Sequence, residues 1–115
     1  MAVNIRAVLV LESEGGASET YTATRPFRIY DFHGTVVTQA ATTTTLDRQA
    51  LGTGGFTAVS SALTDNAAAG TLARTVSIDP AEDDVVATDV LRFTSSGAGR
   101  QNGYVAIIPR LLAGG

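Results

Sequence analysis

Residues 88–110 contain two runs rich in β-branched and aromatic side chains. Val90, Leu91, Phe93 and Thr94 form the first, Tyr104, Val105, Ile107 and Ile108 the second, and a loop of Ser, Gly, Ala and Asn separates them. That arrangement predicts two adjacent antiparallel strands over residues 89–110, with a turn at residues 97–102 at the edge of a sheet. A chain ending this way suits a closed all-β domain.

The rest of the chain repeats the theme. Val3, Ile5, Ala7, Leu9 and Leu11 recur at every second position, the period of a strand with one buried face. Residues 12–19 read as a polar connection, in which Gly15 and Gly16 permit a turn. Residues 20–24 then pair after it. Beyond Pro26, Phe27, Tyr30 and Phe32 supply aromatics for a strand that Gly34 is expected to bend or bulge.

Four consecutive threonines, Thr42 to Thr45, disfavour a helix because branching at Cβ restricts χ1 against the preceding turn. They predict a half-exposed strand, followed by a flexible turn at residues 51–55. Residues 56–64 fit either a strand or a single helical turn. Residues 65–70 form a loop, and Leu72, Val76 and Ile78 then share one strand face. Residues 80–84 make a turn with solvated acids. The sum is about eight antiparallel strands with closely spaced turns and at most one short helix, the pattern of a sandwich or barrel.

Length and composition bound the function. A chain of 115 residues is one domain, residues 1–115, able to bury roughly two-thirds of its unfolded surface without staples. There is no Lys, no Cys and no Trp, and His33 is the sole histidine. Without Cys there is neither a disulfide framework nor a thiolate metal site. The formal charge of −3 is spread along the chain, so no basic stripe invites nucleic acid. The apolar run at residues 7–11 is too short to span a bilayer, and the start lacks the pattern of a leader, so the sequence is read as mature protein. With 44% hydrophobic and only 17% charged residues, some apolar surface is expected to be buried between copies, predicting a homo-oligomer.

Chemistry-bearing groups are sparse. Asp31 and His33 lie two apart on a predicted strand and so share a face, as a base and its orienting carboxylate do. No serine sits in a Gly-x-Ser-x-Gly elbow, and the pair is read as packing rather than catalysis. Asp79, Glu82, Asp83 and Asp84 cluster in sequence, but their spacing matches no EF-hand loop. Gly97, Gly99 and Gly103 lack the lysine and following helix of a phosphate loop, so permissive turn geometry explains them better. Arg92, Arg100 and Arg110 surround the predicted hairpin. Their guanidinium groups suit carboxylates across a protein interface. No catalytic, cofactor or metal residue stands out.

Several segments together carry a resemblance: Pro26-Phe27-Arg28-Ile29-Tyr30-Asp31, the threonine-rich strand, Leu72-Ala73-Arg74-Thr75-Val76, Asp89-Val90-Leu91-Arg92-Phe93-Thr94 and Gly103-Tyr104-Val105-Ala106-Ile107. From Pro26 onward the chain resembles the capsid decoration, or cement, proteins of tailed bacteriophages. The resemblance implies a compact jelly-roll-like domain, typically trimeric, on the outer surface of the phage head. There it would bridge subunits of the major capsid protein and brace the shell, without cofactor or reaction, through many weak contacts made together. The alternatives are another virion β-module, such as a head-fibre base, tail-tube or tail-tip component or a carbohydrate-binding receptor module, and, more remotely, a small enzyme.

Overall fold

The alternation of large apolar and small polar side chains produces ten strands in the computed structural model, which describes residues 9–14, 17–74 and 77–109. They are β1 (Leu9–Glu14), β2 (Ser18–Thr22), β3 (Phe27–Thr38), β4 (Thr43–Gln49), β5 (Thr57–Ala58), β6 (Leu63–Thr64), β7 (Leu72–Arg74), β8 (Asp84–Val85), β9 (Val90–Ser95) and β10 (Arg100–Pro109). A 3-10 turn at Ala50–Gly52 is the sole helical element among the described residues.

The strands form two antiparallel sheets. The first runs β1-β10-β3-β7, with β8 also on β3; the second runs β2-β9-β4-β5, with β6 also on β4. The chain alternates between the sheets from β1 to β4. It stays on β4 with β5 and β6, returns to β3 with β7 and β8, and crosses twice more for β9 and β10. With β5 and β6 counted as one interrupted strand, and β7 and β8 as another, the sheets read 1-8-3-6 and 2-7-4-5. That is the order of a jelly-roll sandwich.

Between the sheets lie Phe27, Ile29, Phe32, Leu46, Val59, Leu63, Val85, Leu91, Phe93, Val105 and Ile107, all buried in one cluster. The pleat selects them: in β3 the inward residues are Phe27, Ile29, Phe32, Gly34 and Val36, and Phe32 meets Phe93 edge-on at 5.5 Å. Each large apolar side chain so buried contributes about 1.5–3 kcal/mol.

Several sequence expectations change. Residues 89–110 do form two strands, but not two adjacent ones: β9 pairs with β2 and β4, whereas β10 pairs with β1 and β3. Residues 96–99 therefore carry the chain across the sandwich, and Arg100, Gln101 and Asn102 already belong to β10. Gly97 and Gly99 serve close approach rather than positive φ, since a Cβ on either would run into Thr42.

Gly34 does not bend β3; it pairs with Gly103, and Gln101 fills the space a Cβ would need. The register shifts fall instead at Tyr30 and Val37, each an extra residue against β10, and both side chains are exposed. In β7 it is Ala73 that faces the core, with Leu72 and Arg74 outside. Residues 12–14 continue β1, and β2 joins the opposite sheet rather than pairing with β1. Within residues 56–64 only the two-residue strands β5 and β6 form, with an isolated bridge from Ser60 to Ile78 between them and no helical turn. The proposed first strand at residues 3–11 lies partly outside the described residues, as do Val76 and Arg110.

Candidate interaction face

The outer face of the first sheet carries Tyr30 and Leu72, two of the three most exposed large apolar side chains among the described residues; Leu51, the third, and the less exposed Tyr21 and Val86 lie elsewhere. The extra residue in β3 turns Tyr30 outward to 66% exposure, and the inward placement of Ala73 leaves Leu72 57% exposed at the β7 edge. Between them the outward residues of β3 and β10 bring His33 against Tyr104, rings stacked at 5.2 Å. Arg74 lies opposite His33 on β7 and donates to Asp31 Oδ2 at 2.8 Å. Beside the bulge, a half-open groove of about 430 Å³ is lined by Arg28, Ile29, Tyr30, Ile78, Pro80, Asp83 and Ile108. Arg28 and Asp83 are ion-paired there at 2.9 Å.

The strand does bring Asp31 and His33 to one face, but not into catalytic contact. His33 Nδ1 stands 3.6 Å from Asp31 Oδ2, beyond hydrogen-bond reach, and has no hydrogen-bond partner among the described residues. Asp31 is committed elsewhere: Oδ2 accepts from Arg74, and Oδ1 accepts the Phe32 N–H at 2.9 Å. The pair is an aromatic and charge patch on an open sheet.

The acidic cluster disperses. Asp79 Oδ1 caps the following turn by accepting the Ala81 N–H, Asp83 is buried against Arg28, Glu82 reaches Arg48, and Asp84 is an exposed residue of β8. The expectation of solvated acids fails for Asp83 and Glu82, because the turn folds back onto arginines of β3 and β4.

Arg92 and Arg100 do not share a surface patch. Arg92 lies on the outer face of the second sheet, donating to Asp47 Oδ2 at 2.9 Å with its guanidinium 4.0 Å from the centre of the Phe56 ring. Arg100 folds back onto its own loop and donates to the carbonyls of Gly97 and Gly99, the latter at 2.7 Å.

Two buried polar clusters escape sequence reasoning. Asp65 is fully buried: Oδ1 accepts from Thr44 and from Gln101, both at 2.7 Å, and Oδ2 accepts from Thr42 at 2.6 Å. Thr42 Oγ1 in turn accepts the Gly99 N–H, tying the crossing loop to this network. At the other cluster, Arg48 projects inward between Glu82 at 2.7 Å and the fully buried Asp89 at 2.9 Å. Asp89 also accepts the N–H groups of Leu51 and Val86. Burial alone would raise the Asp89 carboxyl. The two N–H donors and Arg48 outweigh it and hold the group below its ordinary value. Burial likewise works against the Arg48 guanidinium, but Glu82 and Asp89 raise it above its usual range. Both clusters fasten loops to strands.

No family model matches the chain, and no curated protein matches its sequence.

Proposed function

We propose that this protein is a virion structural component that decorates the outer surface of a tailed-phage head, bridging major capsid protein subunits and stabilising the shell as a homo-oligomer. The reading rests on the outer face of the first sheet. Tyr30, Leu72 and the His33–Tyr104 stack offer apolar contact area, while Arg74–Asp31 and Arg28–Asp83 neutralise their own charge. Such a surface suits another protein surface better than a polyanion, and aromatic side chains with arginine are the groups enriched where proteins meet. The jelly-roll order supports the reading less strongly, because the same architecture serves capsid and lectin domains alike.

One observation favours a second reading, a carbohydrate-binding module. Tyr30 stands exposed beside the groove, where a sugar ring could stack against it. Labelled protein added to purified heads, tails and host cells of the phage that encodes it separates the two. The proposal expects regular lattice decoration of expanded heads, with Tyr30→Ala and Leu72→Asp weakening it while leaving the circular dichroism spectrum unchanged. Bare heads with labelled cell surfaces or tail tips would overturn it in favour of the second reading.

A further inference from the structure

Strand β2 sits at an edge of the second sheet, and its backbone polarity is fixed by its pairing with β9. Ala23 donates its N–H to the Asp89 carbonyl, Thr88 donates to the Ala23 carbonyl, and Ser95 donates to the Ala17 carbonyl. In an antiparallel ladder successive residues point their N–H and C=O groups to opposite sides. The odd-numbered residues of β2 therefore serve β9. Ser18, Thr20 and Thr22 direct their N–H and C=O groups to the outer edge, and all three are exposed.

Edge strands are ordinarily protected by shortness, proline, basic side chains or bulges. The β5, β6, β7 and β8 segments are two or three residues long. β2 has five residues in unbroken register with β9, and no proline or basic residue interrupts it.

We propose that β2 pairs antiparallel with β2 of a second copy of this chain, on a two-fold axis through Thr20, joining the two second sheets into one. The strand is complementary to itself in that register. Thr20 faces Thr20 of the second copy, Ser18 faces Thr22, and Glu19 faces Tyr21, so no like charges stand directly opposite one another. The three outward residues become the hydrogen-bonded positions, each copy donating three N–H groups and accepting at three carbonyls. The central Thr–Thr pair and the two flanking Ser–Thr pairs are of the kind that hydrogen-bond across neighbouring strands. A contact of this kind is isologous and closes at two copies, leaving any threefold association to another surface. It is independent of the proposed head-binding face, and its test needs no capsid.

Light scattering and sedimentation of the full chain decide the matter. The expected mass is twice 11.8 kDa at high concentration, falling toward the monomer on dilution. Thr20→Pro deletes an outward N–H without touching the β9 ladder and should weaken association at least about tenfold, with the circular dichroism spectrum preserved. Thr20→Lys keeps the backbone intact and places two like charges face to face, so its association should recover at high salt. Hydrogen exchange reads the parity directly: the backbone amides of residues 18, 20 and 22 are protected in the dimer and exchange freely in the Thr20→Lys monomer. A wild-type chain that stays monomeric or forms trimers, or wild-type mass retained by both variants, would overturn the proposal.

Discussion

A Cβ on Gly103 would overlap the ring of Phe93, which faces it across the core from the other sheet. The last two strands thus meet through the sandwich interior, with Gly103 paired to Gly34 on β3 and Phe93 held edge-on by Phe32. Gly103→Ala should therefore destabilise the fold by about 1–3 kcal/mol through overpacking, read as a lower urea midpoint with unchanged m-value. Unaltered stability would mean that the ring is free to move aside.

The two faces of β4 give a matched pair. Thr44 is buried and donates to Asp65, whereas Thr45 is half-buried on the outer side of the sheet. Thr44→Val should cost about 1–2 kcal/mol, because Asp65 loses a donor in a site that water does not reach. Thr45→Val makes the same chemical change and should stay within about 0.5 kcal/mol of wild type. Equal effects in thermal unfolding would remove the Asp65 network from the account of stability.

These examples show where local sequence is informative. The alternation around Phe27–Val36, the run of threonines and the apolar positions of residues 90–108 identify strands, because a period of two depends only on neighbouring residues. Sheet membership does not, since β9 and β10 would have the same pattern whether they paired with each other or crossed the sandwich. The buried acids were hidden for a related reason: the partners of Asp65 lie 21 and 36 residues away in Thr44 and Gln101, and Arg48 lies 41 residues from Asp89. Leu72 against Ala73 is a different case. A three-residue strand is too short to fix its own phase, so sheet pairing decided which side chain became exposed. The candidate face was legible only in part: Asp31 and His33 were placed on one side of a strand, while Tyr30 required a bulge that no local signal marked.

Arg92 provides a test of intramolecular against intermolecular roles. Its hydrogen bond to Asp47 and its position over Phe56 hold the outer face of the second sheet together. Arg92→Ala should lower stability by about 1–2 kcal/mol through the lost ion pair and cation–π contact, while leaving the sedimentation behaviour unchanged. A changed mass with unchanged stability would instead assign Arg92 to an interface.

Asp89 determines how the fold responds to acid. Its carboxyl lies below the ordinary value of 3.8 in the folded protein. The stability it contributes is therefore fully present above the unfolded value and is lost as pH falls through the folded one. Asp89→Asn retains the shape but turns its NH2 group either toward Arg48 and the Val86 N–H together or toward the Leu51 N–H, where the carboxylate accepted from all three. At pH 7 the variant should be about 2–3 kcal/mol less stable than wild type. The gap should narrow as pH drops below about 4, because wild type surrenders the ionised carboxylate that the variant never had. Urea unfolding of both proteins at pH 7 and pH 3 measures this directly, and a gap of equal size at the two values would show that the anchoring of Leu51, Val86 and Arg48 does not depend on the charge of Asp89.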